Sequence, residues 1–442
     1  MKKILVIGAG RSSIYLIQYL LKQAVIHNWE VRVGDMDIEL AQSKVAGFER
    51  GTAFRFDIND EQQRSHEIEK ADLVVSMLPA FMHGQVAHDC VKLGRHLVTA
   101  SYVSQEMKDL HQEAVMNNVI LMNEIGLDPG IDHMSAMKVI HEISREGGVL
   151  TAFYSYCGGL VAPESNDNPW GYKFSWNPRN VILAGQGTAQ FIDNGQYKYL
   201  PYNRLFSSAT TIHVEGWGDF DAYANRDSLS YRNVYGIDNI PTMLRGTLRM
   251  KGFCKAWNIF VQLGLTDDSW KIKHADRLTY AQLTEAFLPA GSGSLKSRLA
   301  AFLHSDETDP AIEMFEWTGM LSDQRISLQE ASPAQIIQQL LERKWLLRPE
   351  DKDLVVMQHQ FEFELNGQKE KIISSLVAKG EDAQHTAMAK TVGLPAAIAV
   401  KLILTGQIQR KGVCVPVTQD IYEPVLKELE SFGIEFKEKR LK

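Results

Sequence analysis

The sequence predicts an α/β protein: a doubly wound parallel sheet, a second α+β domain with a mixed sheet, and an inserted helical subdomain. Short apolar runs alternate with helical patterns over the first 130 residues. Aromatic and β-branched segments with period-two alternation follow, and helical patterns occupy 266–350. A chain of 442 residues is also too long for one compact core.

Six apolar runs in the first part predict the strands of the parallel sheet: KILVIG, EVRVGD, FRFDIND, ADLVVSMLP, HLVTASY and VILMNE. Ligands bind at the carboxyl ends of such strands. We therefore expect one site to be lined by the residues after the third to sixth strands: Asp57, Ile58, Leu78, Ala100, Ser101, Tyr102, Gly126, Leu127 and Asp128.

A glycine-containing turn joins the first strand to the first helix. It reads Gly8-Ala9-Gly10-Arg11-Ser12-Ser13, with serine at the third fingerprint position. Glycine lets the backbone approach a pyrophosphate, and the helix N-terminus offers unpaired N–H groups and partial positive charge. The motif alone is weak, but its context of strand, turn, helix and second strand predicts a Rossmann dinucleotide site.

An acidic residue, Asp35, closes the second strand. A carboxylate there accepts hydrogen bonds from the adenosine ribose and repels a 2′-phosphate, so NAD is predicted, with NADP as the alternative. Arg11 in the glycine turn is suited to pair with a phosphate, and Asp37 is the competing acid.

The rest of the chain predicts two further parts. The strands VVMQHQFEFEL and QKEKIISSLVA are joined by Asn366-Gly367, a strong hairpin signal, and SPAQIIQQLLERKWLL opens with a helix-capping serine and proline. We expect three domains: 1–130 with 395–442 for the dinucleotide, 131–265 with 351–394 for substrate and dimerisation, and 266–350 as the helical subdomain. Apolar strands in the second domain suggest a homodimer.

Composition excludes several classes of protein. A net charge of −7 without a basic tract argues against nucleic acid. Four widely spaced cysteines show neither a disulfide framework nor metal-ligand spacing, so we expect a reduced, cytoplasmic protein without a metal. We expect neither a signal peptide nor a membrane-spanning segment.

Three regions carry candidate chemistry. The loop NEIGLDPGIDH brings Asp128, Asp132 and His133 after the sixth strand, although Asp132 also suits a helix cap. The segment Tyr156 to Trp176 is rich in aromatic residues and is interpreted as a lid. Arg226, Arg245 and Arg249 offer guanidinium groups matched to carboxylates, which predicts an acidic substrate.

Together, GAGRSS, NEIGLDPGIDH, YCGGLVAPESNDNPWGYKFSW, NRDS and RGTLR resemble saccharopine dehydrogenase of the glutamate-forming type, over essentially the whole chain. The resemblance implies an NAD(P)-dependent oxidoreductase of lysine metabolism that acts on a CH–NH group. Such an enzyme interconverts saccharopine with 2-aminoadipate 6-semialdehyde and glutamate through an imine. Its general base is left open among Asp128, Tyr102 and His133.

The resemblance also implies the binding residues. Gly8, Gly10, Arg11, Ser12 and Ser13 would hold the pyrophosphate, while saccharopine would contact Ser101, Tyr102, Asp128, Lys173, Trp176, Arg226 and the turn Arg245-Gly246-Thr247. Family members in lysine synthesis commonly favour NADPH, so Asp35 departs from them and suits lysine breakdown. A carboxynorspermidine dehydrogenase-type reductase and a non-catalytic dinucleotide sensor are the alternatives, and the arginines argue against both.

Overall fold

The structure is a computed structural model that describes residues 1–442. Its strands are β1 Lys3–Ile7, β2 Glu30–Asp35, β3 Gly51–Arg55, β4 Leu73–Ser76, β5 His96–Val98, β6 Ile120–Met122, β7 Val149–Val161, β8 Thr188–Asp193, β9 Gln196–Pro201, β10 Thr210–Val214, β11 Gly218–Ala224, β12 Thr242–Met250, β13 Ile272–Lys273, β14 Glu330–Ala331, β15 Asp353–Leu365, β16 Gln368–Lys379, β17 Gly412–Cys414 and β18 Lys437–Leu441.

Helices make up the other elements. They are α1 Ile14–His27, α2 Ile38–Val45, α3 Glu61–Glu69, α4 His83–Leu93, α5 Gln105–Asp109, α6 His111–Met116, α7 Ile131–Arg145, α8 Pro178–Ile182, α9 Tyr202–Leu205, α10 Tyr231–Val234, α11 Phe253–Gln262, α12 Tyr280–Ala286, α13 Leu295–Phe302, α14 Pro310–Trp317, α15 Pro333–Lys344, α16 Ala387–Leu404 and α17 Gln419–Glu430. Short 3₁₀ turns include Arg11–Ser13 and Ala80–Met82.

Two units divide the chain. The first holds 1–149 and 376–438, and the second holds 150–375 and 439–442. The predicted boundaries at 130 and 395 differ from these, because α7 packs against α17 and α16 packs against α1, within the first unit. The predicted helical subdomain is part of the second unit.

The first unit is built on a seven-stranded parallel sheet. Its order is β17-β6-β5-β4-β1-β2-β3, which contains the 3-2-1-4-5-6 order of dinucleotide-binding folds. Every residue of β4 and β6 is buried, as the uninterrupted apolar runs predict. The structure therefore confirms the predicted Rossmann sheet and adds β17, whose three residues are too few to give a sequence signal.

One helix, α16, is long and apolar enough to cross a membrane by length and composition alone. Within the first unit it packs against α1 and α17 and contacts β4 and β5, and 83% of it is buried. At Gly393 a Cβ atom would lie only 3.0 Å from the backbone nitrogen of Leu16. The apolar sequence of α16 is therefore that of a core helix.

The second unit contains a nine-stranded mixed sheet. Its main path is β10-β11-β12-β7-β15-β16-β18, with β8 and β9 paired beside β12. β12 runs parallel to β7 and antiparallel to β11. The predicted hairpin is present: Asn366 and Gly367, at φ 52° and 77°, connect β15 to β16.

Aromatic side chains from the expected lid form part of a core instead. Trp170, Tyr172 and Phe174 are at most 3% exposed and belong to the hydrophobic cluster of the second unit. The Trp170 indole donates to the carbonyl of Met314 at 2.9 Å and packs edge-on against Trp345. The lid interpretation is wrong for these side chains, because all three are buried in the core of the second unit.

Candidate active site

The glycine turn after β1 has the geometry that the sequence predicts. Gly8 has φ +101°, and a Cβ there would lie 3.0 Å from the carbonyl oxygen of Met77. Gly10 is exposed, with no atom within 4 Å of its Cβ position. A ligand can therefore approach the backbone here, as a pyrophosphate requires.

The residues after the glycines differ in accessibility. Arg11 is exposed and Ser12 is half-buried. Ser13 is 1% exposed, and its hydroxyl donates to the carbonyl of Gly10 at 2.8 Å. The Ser13 side chain therefore stabilises the turn, whereas the resemblance implied that it contacts the phosphate.

Asp35 lies beside this turn. Its Oδ2 accepts the backbone N–H of Ala9 at 2.6 Å, and its Oδ1 accepts that of Asp37 at 2.9 Å. Asp37 itself caps α2 by accepting the backbone N–H groups of Glu39 and Leu40. The competing acid therefore has a structural role, and Asp35 is the carboxylate next to the glycine turn.

An apolar pocket adjoins Asp35. Its lining is Ile7, Gly8, Gly34, Asp35, Met36, Phe56, Ile58 and Leu78. This arrangement of a carboxylate, a glycine turn and apolar walls fits the adenosine part of a dinucleotide. Of the predicted residues, Ile58 and Leu78 line the pocket. Asp57 instead stabilises its own loop, because its Oδ1 accepts the backbone N–H of Asn59 at 2.9 Å.

Polar residues gather at the carboxyl ends of β4 and β5. The His83 ring lies between two serines, with Nδ1 2.8 Å from Ser76 Oγ and Nε2 2.7 Å from Ser101 Oγ. Burial lowers the pKa of His83 to about 4, so its ring is neutral at pH 7. Ala100 lies beside the loop after β6, since a Cβ at Gly126 would come within 2.8 Å of its Cβ.

Two of the three candidate bases form an accessible pair. The Tyr102 hydroxyl donates to Asp128 Oδ1 at 3.0 Å. Tyr102 is 50% exposed and Asp128 is half-buried, so a substrate can reach both. Their position after β5 and β6 is the one predicted for catalytic groups. Leu127, the predicted cofactor contact before Asp128, is buried at 4% exposure.

The third candidate, His133, is in a different environment. It is fully buried, with Nε2 2.9 Å from Glu124 Oε2 and Nδ1 3.5 Å from Asp132 Oδ2. Glu124 also accepts the backbone N–H of Val103, next to Tyr102. The prediction of His133 as a general base is corrected, because a ring enclosed in this way supports the loops and cannot touch substrate.

Arg226, in the second unit, has the properties of a ligand-binding residue. It follows β11 and is exposed. Its backbone carbonyl accepts the N–H of Gln190 at 2.8 Å, while its guanidinium makes no hydrogen bond or ion pair. A guanidinium held at a strand end without a protein anion is available to a carboxylate.

The predicted turn Arg245-Gly246-Thr247 is the middle of β12. Gly246 pairs with Ala224 on one side and Tyr156 on the other, and a Cβ there would lie 2.8 Å from the carbonyl of Tyr223. Alternation along a strand places Arg245 and Thr247 on the same face. The prediction of a turn is wrong, because these residues pair with a neighbouring strand on each side. Glycine at position 246 permits the close approach of the neighbouring backbone.

Arg245 is itself largely enclosed. It is 2% exposed, and its guanidinium carbon lies 4.1 Å from the centre of the Tyr231 ring. The Thr247 hydroxyl donates to Asn225 Oδ1 at 2.6 Å, next to Arg226 in sequence. The structure therefore places these three predicted residues around one end of β11 and β12.

Lys173 is buried with acidic partners. Its ammonium lies 2.7 Å from Asp351 Oδ2 and 3.1 Å from Asp167 Oδ1, and the side chain is 2% exposed. The Trp176 indole donates to the Tyr172 hydroxyl at 3.1 Å. Both residues therefore have internal partners, and their predicted contact with saccharopine stays a prediction.

Sequence reasoning missed two residues that organise the first unit. His83 belongs to no recognisable motif, and Glu124 is a residue of NEIGLDPGIDH to which the sequence assigns no role. A weak signal exists for His83, because it opens the helix that follows the fourth strand. None existed for Glu124, whose φ of 55° and contacts to His133 and Val103 depend on the tertiary fold.

Two family models match almost the entire chain. The model described as "Saccharopine dehydrogenase NADP binding domain" covers residues 4–122, and "Saccharopine dehydrogenase C-terminal domain" covers 126–434. The chain belongs to the saccharopine dehydrogenase family. This membership confirms the resemblance drawn from the motifs.

The relatives of this saccharopine dehydrogenase family member support the same family assignment. It is 36% identical over 449 residues to saccharopine dehydrogenase [NADP(+), L-glutamate-forming] of Pyricularia oryzae, covering 99% of both chains. It is 35% identical to mitochondrial alpha-aminoadipic semialdehyde synthase of Mus musculus, covering 98% of this chain but 47% of that protein. The apo structure of the Saccharomyces cerevisiae L-Glu-forming enzyme superimposes with a TM-score of 0.90, at 32% identity and 100% coverage of both.

Proposed function

We propose that this chain interconverts saccharopine with 2-aminoadipate 6-semialdehyde and glutamate, using a nicotinamide dinucleotide. The observation that carries the proposal is the end-to-end similarity to L-glutamate-forming saccharopine dehydrogenase, at 36% identity over 99% of both chains. The accessible Tyr102–Asp128 pair and the dinucleotide-type glycine turn support it, because the reaction needs proton transfer beside a hydride acceptor.

The residues of the first unit would hold the cofactor. Backbone groups at Gly8 and Gly10 suit the pyrophosphate, and the pocket beside Asp35 suits the adenosine. When bound, the dinucleotide supplies two-electron hydride chemistry. The chain's own contribution is to position the reactants and to move protons.

The oxidative direction removes a hydride and a proton from the CH–NH unit of saccharopine and leaves an imine. Water then adds to the imine carbon, and cleavage of the carbon–nitrogen bond releases glutamate and the aldehyde. We assign to Asp128 the removal of a proton from the amine or from the attacking water. Tyr102, which donates to that carboxylate at 3.0 Å, orients it and shares the proton.

Arg226 would bind a carboxylate of the substrate. Its exposed guanidinium makes no ion pair within the protein, and saccharopine carries three carboxylates. The related reductase that makes carboxynorspermidine handles a substrate with fewer carboxylates and more cationic amines. A guanidinium therefore favours saccharopine over that alternative, and a cofactor sensor would not require one.

NAD is our proposal for the preferred cofactor. The Pyricularia oryzae relative carries NADP(+) in its name and the matching N-terminal family model is described as NADP binding, and these support a nicotinamide dinucleotide in general. Asp35 favours NAD, because its carboxylate stands beside the glycine turn, where it would repel a 2′-phosphate. An NAD enzyme would suit lysine breakdown.

A cytoplasmic location and a homodimeric state also remain proposals. All four cysteines are free thiols and three of them are buried, as in a reducing compartment. Sedimentation of the purified protein at several concentrations would test the dimer, and a single monomeric species throughout would contradict it.

The test is a coupled assay of the purified protein. We expect saccharopine with NAD or NADP to yield reduced nicotinamide, glutamate and a trappable aldehyde in equal amounts. Absence of turnover with both nucleotides would overturn the proposal.

The arginine is tested by substitution. Arg226→Ala is expected to raise the KM for saccharopine at least tenfold, because a charge-assisted hydrogen bond is worth about 1.5–3 kcal/mol. Affinity for the dinucleotide should stay unchanged. Arg232→Ala is the matched control, since Arg232 is a half-buried arginine of the same unit that already donates to the Tyr197 hydroxyl and the carbonyl of Asp238. Equal effects on both ligands would remove the role of Arg226.

A further inference from the structure

A buried histidine connects three hydroxyl groups at the carboxyl ends of β4 and β5. His83 Nδ1 lies 2.8 Å from Ser76 Oγ, while Nε2 lies 2.7 Å from Ser101 Oγ and 3.2 Å from Thr99 Oγ1. Ser76 and Thr99 are each 1% exposed and His83 is 5% exposed, whereas Ser101 is half-buried. The chain of contacts therefore runs from the interior to a residue that a ligand can reach.

The position of the ring proton follows from the surroundings of Ser76. A neutral imidazole has one N–H donor and one acceptor nitrogen. The Ser76 hydroxyl has His83 Nδ1 as its sole side-chain partner. If Nδ1 carried the proton, the Ser76 O–H would be buried without an acceptor, at a cost of about 1–3 kcal/mol. The buried Thr99 hydroxyl would lose Nε2 as its acceptor if that nitrogen carried the hydrogen, but its 3.2 Å distance is longer than O–H donors usually make, whereas the 2.8 Å contact of Ser76 lies within their range. The distances therefore favour the tautomer in which Ser76 donates to Nδ1 and Nε2 carries the hydrogen.

This tautomer determines how Ser101 is used. With the hydrogen on Nε2, His83 donates to Ser101 Oγ at 2.7 Å. The serine oxygen is then an acceptor toward the interior, and its own O–H proton is directed elsewhere. Because burial keeps the ring neutral, with a pKa lowered to about 4, this polarity holds across the physiological pH range.

We propose that His83 is a positioning residue that holds Ser101 as a hydrogen-bond donor to a carboxylate oxygen of the substrate. The inference rests on the proposed function, since it takes saccharopine as the ligand of Ser101. Ser101 is next to Tyr102, half of the accessible acid–base pair. A carboxylate only accepts hydrogen bonds, so a serine fixed as a donor is matched to it.

Substitutions at His83 separate donation from packing. Glutamine carries an amide N–H at about the reach of Nε2, whereas leucine carries none. We expect His83→Leu to raise the KM for saccharopine about tenfold, and His83→Gln to keep it within about threefold of the wild type. Dinucleotide affinity should be unchanged in both. Unchanged KM in His83→Leu, or equal losses in both variants, would overturn the proposal.

A double-mutant cycle measures whether the effects of two substitutions on KM are additive. A purely structural role of His83 would not make its effect depend on Ser101. Ser101→Ala should raise KM as much as His83→Leu, and the combined variant should be no worse than Ser101→Ala alone. Additive losses would contradict action through Ser101. His96→Leu is the matched control, because His96 is another neutral histidine of the first unit whose Nδ1 accepts the backbone N–H of Ile120. It should lower stability without changing KM.

Nitrogen NMR of ¹⁵N-histidine-labelled full-length protein tests the tautomer without turnover. The His83 signals, assigned by comparison with His83→Gln, should show a protonated Nε2 and an unprotonated Nδ1, and the reverse pattern would overturn the inference. If His83→Leu does not fold, Ser76→Ala replaces it: loss of the donor to Nδ1 should mix the tautomers and raise KM. An inactive wild type with the expected NMR pattern would instead contradict the proposed function.

Discussion

At the residue scale, Asp35 has two separable properties, its charge and its hydrogen bonds. The carboxylate accepts backbone N–H groups from Ala9 and Asp37, so it holds the glycine turn. Under the proposed NAD preference, its charge would also repel a 2′-phosphate. An asparagine there can keep one acceptor oxygen while losing the charge. The effect of the charge on cofactor preference can therefore be tested while one of the two hydrogen bonds is kept.

Asp35→Asn is expected to lower the ratio of kcat/KM for NAD to that for NADP at least tenfold, about 1.4 kcal/mol of transition-state discrimination. Steady-state kinetics with both nucleotides measure the ratio. Asp37→Asn is the control, because asparagine also caps helices and Asp37 faces its own backbone in α2. An unaltered ratio in Asp35→Asn would show that another residue reads the ribose.

Tyr102→Phe removes the hydroxyl that donates to Asp128. We expect kcat to fall about 100-fold, the usual order for general acid–base groups, with little loss of thermal stability because Tyr102 is half exposed. Tyr197→Phe serves as the control, since Tyr197 is similarly exposed in β9. A kcat within threefold of the wild type would exclude a catalytic role for the tyrosine.

At the element scale, the hairpin between β15 and β16 is the clearest case of a turn specified by two residues. Asn366 and Gly367 both have positive φ, which the type I′ turn requires and which matches the twist of the strands. The pair was predicted from sequence because turn chemistry is local. Its conformation also explains why glycine stands at the second position.

Gly367→Ala is therefore expected to destabilise the second unit by about 1–2 kcal/mol, since an L side chain is strained at φ 77°. Denaturant unfolding measures the change. Gly291→Ala is the control: a Cβ there meets no atom closer than 3.7 Å and its φ is not in the left-handed region. Equal stability of the two variants would contradict the strain argument.

At the scale of the whole molecule, acid should weaken the first unit through two histidines. Burial lowers the pKa of both His83 and His96 to about 4, against about 6.5 when unfolded. The unfolded chain binds more protons between these values, so their contribution is full above pH 6.5 and is lost as pH falls toward 4. His83 contributes at most about 1.4 kcal/mol per pH unit, and the half-buried His96 contributes less because solvent screens it.

We expect the free energy of unfolding of the first unit to be lower at pH 5 than at pH 7.5. Urea unfolding followed by hydrogen exchange in this unit measures the difference. The variant His83→Gln, His96→Gln should show a flatter dependence over this range. A wild-type stability independent of pH between 5 and 7.5 would contradict the burial argument.

The sequence by itself determined the parallel sheet, the glycine turn, the hairpin and the family, because these depend on local periodicity, turn chemistry and short motifs. It also placed Tyr102 and Asp128 together, since both follow neighbouring strands. Only the tertiary structure decided the roles of His133, of Lys173 and of the buried aromatic residues Trp170, Tyr172 and Phe174. The Lys173 ammonium, for example, binds Asp351, 178 positions along the chain, and no local pattern encodes such a partner.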